Sequence, residues 1–133
     1  MPLGSRVEPE ENWIKARSSG PTGAGDEVWV ATRDGNLVAM SKERGVLGDE
    51  VAGELVGISK ISAGLFALML EIAGRAFATS LRYDYETDCL VAAAARRPIR
   101  CPLVADLAWS EIDDPAHLER ARDRVYPSIS SMD

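Results

Sequence analysis

An Asp-Gly pair between two short runs of β-forming residues is the feature that most constrains this chain. Residues 27–32 precede the pair and residues 36–40 follow it, while Asp34 and Gly35 stand between them. Asp-Gly is the usual sequence of a β-hairpin turn, because glycine accepts a positive φ and aspartate tolerates one. The flanking residues allow either a tight or a slightly bulged turn. The sequence therefore predicts a pair of antiparallel strands here.

Strand and helix signals surround this hairpin. Residues 13–17 form a candidate short strand before it, and residues 53–61 form another strand after it. Glycines in the later strand indicate that another backbone or a ligand passes close by. Ser62 is a good N-cap for a helix predicted over residues 63–73, with Gly74 as its stop.

The last part of the chain also contains both helix and strand signals. A second helix is predicted from near Asp84 or Tyr85 to Ala95, because Pro98 forbids its continuation. Two strands are predicted over residues 100–105 and 108–113. A final helix then begins with Asp114 as its cap and proline as its first residue. This order predicts a mixed α/β or α+β fold with a mixed sheet.

We expect one domain over residues 13–127, with a polar lead-in at 1–12 and a tail at 128–133. Acidic residues outnumber basic ones, 21 to 15, and the formal net charge is −6. Nucleic-acid-binding domains usually carry a basic face, so no nucleic-acid partner is expected. No apolar run is long enough to span a bilayer. The sequence thus predicts a cytoplasmic protein with no membrane partner.

One cluster of basic residues and the two cysteines are interpreted as structural rather than functional. Arg96, Arg97 and Arg100 form one local basic cluster, interpreted as a solvated helix end that complements the helix dipole. Cys89 and Cys101 lie in apolar surroundings without metal-ligand spacing, which indicates small buried hydrophobic residues.

Two carboxylates near the final helix form the first candidate site. Glu111 and Asp113 are two residues apart on a predicted strand, so they share one face, with their Cα atoms roughly 6–7 Å apart. The carboxyl end of a strand is where open α/β sheets bind ligands, and carboxylate oxygens suit Mg²⁺. The alternative is a solvated strand end in which Asp114 merely caps a helix.

An aromatic and acidic segment forms the second candidate site. Tyr83, Asp84, Tyr85, Glu86 and Asp88 combine rings with carboxylates, as a cationic ligand requires. The alternative is a helix N-terminus, where the dipole favours acidic residues in any case.

Two further motifs are interpreted as structural. The glycine cluster over residues 20–25 lacks the Lys-Ser/Thr end of a phosphate loop and precedes a strand, so a hairpin connection is expected. His117, in the first turn of the last helix, has no Ser or Cys partner nearby in sequence. We interpret it as a surface or half-buried helix residue.

Three segments together carry a family resemblance. They are residues 53–62, residues 84–86, and residues 109–122, the last with the pattern Trp-x-Glu-Ile-Asp-x-x-x-x-Leu-x-x-Ala. From about residue 13 to residue 127 the chain resembles the C-terminal half of MobA-like nucleotidyltransferases. The greatest similarity is to cytidylyltransferases acting on phosphocholine or 2-aminoethylphosphonate.

This resemblance implies roles for particular residues. Glu111 and Asp113 would help to hold Mg²⁺ against the nucleotide phosphates. Asp84, Tyr85 and Glu86 would line the pocket for the amine-bearing end of a small phospho- or phosphono-amine. The acceptor phosphate or phosphonate would attack the α-phosphorus of CTP and expel pyrophosphate.

The Gly-rich nucleotide-binding half of that family is absent from this sequence, so the resemblance implies a part that is not active alone and needs a partner chain. A non-catalytic small-molecule-binding or oligomeric interaction module with the same fold is the alternative. Its interface would include Trp13, Trp29 and the strand predicted over residues 53–61.

Overall fold

The computed structural model describes residues 11–18, 27–105, 108, 110 and 112–130. The strands are β1 Trp13–Arg17, β2 Trp29–Arg33, β3 Asn36–Ser41, β4 Val51–Lys60 and β5 Leu103–Val104. The α-helices are α1 Ala63–Phe77, α2 Val91–Ala94, α3 Pro115–Arg120 and α4 Tyr126–Ser130. A 3-10 segment, Arg44–Glu50, joins β3 to β4, and π-helical turns, Tyr85–Leu90 and Ala121–Val125, lead into α2 and α4.

The described strands form one five-stranded sheet in the order β3-β2-β4-β1-β5. Only the β1–β5 pair is parallel, while the β2–β3, β2–β4 and β1–β4 pairs are antiparallel. The predicted mixed α/β fold is therefore confirmed. One face of the sheet packs against α1 and α2 through a core that includes Ile14, Val30, Leu65, Leu90 and Ile99.

The hairpin takes the tighter of its two predicted forms. Arg33 pairs directly with Asn36, so only Asp34 and Gly35 lie in the turn. Their φ angles are 54° and 81°, both in the region that matches the twist of the flanking strands. A register shift follows one pair further on, between Ala31 and Thr32.

Helix α1 begins as predicted but ends later. The Ser62 hydroxyl accepts a hydrogen bond from the Leu65 N–H at 3.0 Å, which confirms the N-cap. The predicted stop at Gly74 is wrong, because the helix continues to Phe77. A glycine inside a helix costs only about 1 kcal/mol, and the Glu71–Arg75 ion pair spans this turn at 2.8 Å.

Candidate functional site

The acidic corner before α3 differs from its prediction. Ala108, Ser110 and Ile112 are not in a strand, and Asp113 lies in a bend, so the predicted strand over 108–113 is wrong at these residues. β5 ends at Val104, whose carbonyl accepts a hydrogen bond from the Ser18 N–H at 3.1 Å, and none of the described strands pairs with Ala108, Ser110 or Ile112. Glu111 lies outside the described residues.

Within this corner Asp114 has a structural role. Its side chain accepts a hydrogen bond from the His117 N–H at 2.8 Å and caps α3, as predicted. The Asp113 N–H donates to His117 Nδ1 at 3.2 Å, so the imidazole folds back over the start of the helix. His117 is consequently buried, with 7% exposure, and the prediction of a surface or half-buried residue is wrong.

Asp113 is the more exposed of the two described carboxylates in this corner, since the Asp114 side chain is 51% exposed. The Asp113 side chain is 67% exposed, and its Oδ2 lies 4.0 Å from His117 Nδ1. Within the described ranges no three His, Cys, Asp or Glu side chains converge as a metal-binding group. Mg²⁺ needs only one or two carboxylates when substrate phosphates and water complete its shell, so Asp113 fits as one ligand of such a site.

The segment before α2 uses its first carboxylate as a helix cap. The Asp84 side chain accepts hydrogen bonds from the Thr87 hydroxyl at 2.6 Å and from the Thr87 N–H at 3.2 Å. In return the Asp84 N–H donates to Asp88 Oδ2 at 2.9 Å. The hydrogen bond from the Thr87 hydroxyl is the main reason that the pKa of Asp84 lies below its usual value. Asp84 therefore fixes the start of the predicted second helix.

Tyr85 is exposed, at 62%, and Glu86 is half-buried. Burial raises the pKa of Glu86, and the interaction with the Tyr85 side chain opposes that rise. The neighbouring Tyr83 packs edge-on against Phe77, with ring centroids 6.0 Å apart. An aromatic ring and a carboxylate thus stand side by side near the C-terminal end of α1.

The two candidate sites occupy different elements. Asp84, Tyr85 and Glu86 lie beside α1, whereas Asp113 precedes α3. Across the described ranges, no hydrogen bond or ion pair links the two groups. The glycine cluster at 20–25 lies outside the described residues. The predicted hairpin connection there is wrong, because β4 lies between β1 and β2 in the sheet.

The predicted interface residues differ in their accessibility. Trp29 is only 9% exposed, and the Arg44 guanidinium stacks over its ring at 4.8 Å, so Trp29 is not available as an interface residue. Trp13 is half-buried beneath the Lys15 ammonium at 5.3 Å. Ile58, on the far half of β4, is 54% exposed.

Sequence reasoning missed a groove between α1 and the turn after α2. Its volume is about 300 Å³, and its lining residues are Gly64, Ala67, Leu68, Glu71, Arg96 and Arg97. The only signal in the sequence was a basic cluster in an acidic chain. The facing wall of α1 is supplied by tertiary packing, which the local pattern does not encode.

Loss of the Asp84 cap should lower stability in a pH-dependent way. We expect Asp84→Ala to cost about 1 kcal/mol near neutral pH, the usual value for an N-cap. Because the folded pKa is lowered, this stabilisation is present above the unfolded pKa and is lost as pH falls through the folded pKa. Urea unfolding should therefore show a lower free energy of unfolding for Asp84→Ala than for wild type at neutral pH. At strongly acidic pH this difference should disappear. Asp84→Asn, which keeps a capping oxygen, should show a smaller loss at neutral pH, and an equal loss for both variants would contradict this role.

No protein-family model matches the sequence. Among solved structures, the chain is similar to the inositol-1-phosphate CTP transferase from T. maritima, with a TM-score of 0.61 and 16% sequence identity. The match covers 98% of this chain and 49% of that one, so this chain spans about half the length of the transferase. At this identity the likeness shows a nucleotidyltransferase-like fold.

Every helix in the described part of the chain falls short of the length and apolar character that crossing a membrane requires.

Proposed function

We propose that this chain is the acceptor-binding part of a nucleotidyltransferase that transfers CMP from CTP to a small phosphorylated or phosphonate amine. The observation that carries the proposal is the match of nearly the whole chain to half of a CTP transferase. A fold alone does not determine an activity, so the site residues must supply the chemistry. The resemblance to cytidylyltransferases over residues 109–122 adds the choice of nucleotide and acceptor.

In this proposal Tyr85 and Glu86 bind the ammonium end of the acceptor. The exposed ring attracts a cation through its π face, and the adjacent carboxylate contributes the opposite charge. Asp84 acts on the same end of the molecule indirectly, because its capping bonds hold the backbone that carries both side chains. Removing the ring should therefore weaken binding more than removing the phenolic hydroxyl.

The transfer itself is a displacement at phosphorus. An oxygen of the acceptor phosphate or phosphonate forms a bond to the α-phosphorus of CTP, and the bond to the bridging oxygen breaks to release pyrophosphate. Asp113, together with Glu111, would hold Mg²⁺, which neutralises phosphate charge when bound. The exposed carboxylate of Asp113 is the described group that supports this role.

We propose that a nucleotide-binding half outside this sequence, supplied by a partner chain, completes the enzyme. The CTP transferase is about twice as long as the part that this chain matches. The chain alone, incubated with CTP, Mg²⁺ and phosphocholine or 2-aminoethylphosphonate, should then release no pyrophosphate. Steady release by the isolated chain would overturn this part of the proposal.

Acceptor binding tests the proposal without requiring turnover. Titration with phosphocholine or 2-aminoethylphosphonate should shift the amide resonances of Tyr85 and Glu86. We expect Tyr85→Ala to weaken binding about fivefold, the typical contribution of one exposed cation–π contact, and Tyr85→Phe to retain most of the affinity. Tyr126→Ala is the matched control, because Tyr126 is also well exposed, at 67%, and lies on α4. Absence of shifts at both residues, or equal loss in the control, would contradict the assignment.

An exposed apolar stripe favours a second candidate function, self-association as an interaction module. Phe66, Leu70 and Phe77 lie on one side of α1 and are 55%, 59% and 47% exposed. Contiguous apolar surface of this kind is typical of protein interfaces. Sedimentation should show concentration-dependent dimers that Leu70→Glu abolishes, and a monomer at high concentration would exclude this candidate.

A further inference from the structure

A groove lies between the first half of α1 and the turn that follows α2. Its volume of about 300 Å³ is at the lower end of the range for small-molecule sites. The small residues Gly64 and Ala67 on α1 give it room, and Leu68 adds an apolar surface. Charged side chains complete the lining, with Glu71 on α1 and Arg96 and Arg97 on the turn.

Positive charge predominates around this groove. Glu71 is bonded through its Oε1 to the Arg75 guanidinium at 2.8 Å. The lining thus carries two guanidinium groups and one carboxylate that is already paired with Arg75, whereas the whole chain carries a formal net charge of −6. A local concentration of positive charge in an acidic protein attracts small anions to that place.

The turn that carries the two arginines is held firmly in place. The backbone N–H groups of Arg96 and Arg97 both donate to the Ala93 carbonyl, at 3.0 Å and 2.9 Å. Ala93 before the turn and Ile99 after it are completely buried. Because the backbone is fixed at both ends, an anion that binds here need not order the turn, and the entropic cost of binding falls.

We propose that this groove binds a small molecule carrying a phosphate or phosphonate group, held by the guanidinium groups of Arg96 and Arg97. Guanidinium forks match the geometry of phosphate oxygens and bind them through paired hydrogen bonds. The Gly64–Ala67 wall accommodates the remainder of the molecule. This site does not depend on the proposed function, because Tyr85 and Glu86 lie near the opposite end of α1, where Tyr83 packs on Phe77.

The test is an NMR titration with inorganic phosphate and with glycerol 3-phosphate as probes. Both should shift the amide resonances of Gly64, Ala67, Arg96 and Arg97, and raised salt should weaken both. Glycerol 3-phosphate should bind several-fold more tightly, since only its glycerol part can fill the groove. Equal affinities would restrict the site to a free phosphate ion and would overturn the assignment to a phosphate-bearing molecule.

Variants that remove positive or negative charge from the groove should change its affinity for the probes in opposite directions. The double variant Arg96→Gln, Arg97→Gln should weaken binding about tenfold, as expected for the loss of charge-assisted hydrogen bonds. Glu71→Gln should tighten it about twofold, because the carboxylate is removed and Arg75 is released. Arg124→Gln, an exposed arginine on the C-terminal helical segment, is the matched control and should change nothing.

Equal weakening by Arg124→Gln would show that the probes respond to overall charge and would overturn the site. All of the changed residues are exposed and none lies in the core, and thermal melting checks that each variant is folded. Shifts at Tyr85 and Glu86 with phosphocholine, but none at the groove with either probe, would exclude the groove and leave the proposed function standing. Shifts at the groove without acceptor binding at Tyr85 would support the groove and contradict the proposed acceptor site.

Discussion

Replacing Gly53 with alanine should destabilise the protein by about 2–3 kcal/mol, the upper part of the range for overpacking. A Cβ at this position would clash with the Arg17 carbonyl, lying 2.8 Å from its carbon and 3.3 Å from the Ser18 nitrogen. These are backbone atoms of the neighbouring strand β1, which cannot swing aside as a flexible side chain would. The close approach that the glycines of this strand predicted is thereby found at Gly53. Urea unfolding monitored by circular dichroism would measure the loss.

Gly74 provides a matched control for this substitution. It lies inside α1, it is exposed, and an added Cβ would meet nothing within 4 Å. Gly74→Ala should therefore stabilise the protein by about 0.5–1 kcal/mol through helix propensity. If Gly53→Ala instead left the free energy of unfolding unchanged, β1 and β4 would have to lie further apart than the structure places them.

Replacing Asn12 with alanine should cost about 2 kcal/mol, the typical penalty for leaving a buried donor without its acceptor. Asn12 is 3% exposed, and its Oδ1 accepts a hydrogen bond from the Ser62 N–H at 2.6 Å. Its carbonyl also accepts from the Arg100 N–H at 2.9 Å, and that backbone bond remains in the variant. The substitution thus removes the side-chain link between the start of β1 and the start of α1.

Asn36→Ala is the comparison for this prediction. Asn36 begins β3 and is half-buried, and its backbone rather than its side chain forms the pairing with Arg33. Its replacement should change the free energy of unfolding by less than about 0.5 kcal/mol. Chemical denaturation measures both variants. If the two substitutions lowered the free energy of unfolding equally, the Asn12 hydrogen bond would contribute no more to stability than the Asn36 side chain does.

The features predicted correctly from the sequence are those that a few neighbouring residues determine. The Asp34-Gly35 turn and the caps at Ser62, Asp84 and Asp114 depend on contacts within three residues along the chain. Such contacts are local, so the pattern of residue types contains most of the information that they require.

The errors arise where a distant partner decides the outcome. Residues 100–105 have strand-forming character, yet only Leu103–Val104 form a strand. Arg100 is joined to β1 only by an isolated bridge, and the Cys101 N–H donates to the Gly35 carbonyl of the hairpin at 2.9 Å. His117 is buried because it folds back on Asp113, a packing choice that helix periodicity does not reveal.

The candidate sites show the same difference between features set by local contacts and features set by distant partners. Asp84, Tyr85 and Glu86 are adjacent in sequence, so their grouping was predictable, although the capping role of Asp84 only becomes clear from its bonds to Thr87. The groove that joins Glu71 to Arg97 requires α1 to pack beside α2. No spacing in the sequence encodes that contact.

The position of β1 within the sheet has a consequence for how the chain folds. It is the first of the described strands along the sequence, yet it pairs with β4 on one side and with β5, the last of the described strands, on the other. Ala16 can meet Leu103 only after all of the chain between them has been synthesised. Pairings between residues so distant in sequence form slowly, because the loop-closure entropy must be overcome first. On the ribosome the β2–β3 hairpin can therefore form early, whereas one edge of β1 stays open to other chains until β5 has been synthesised.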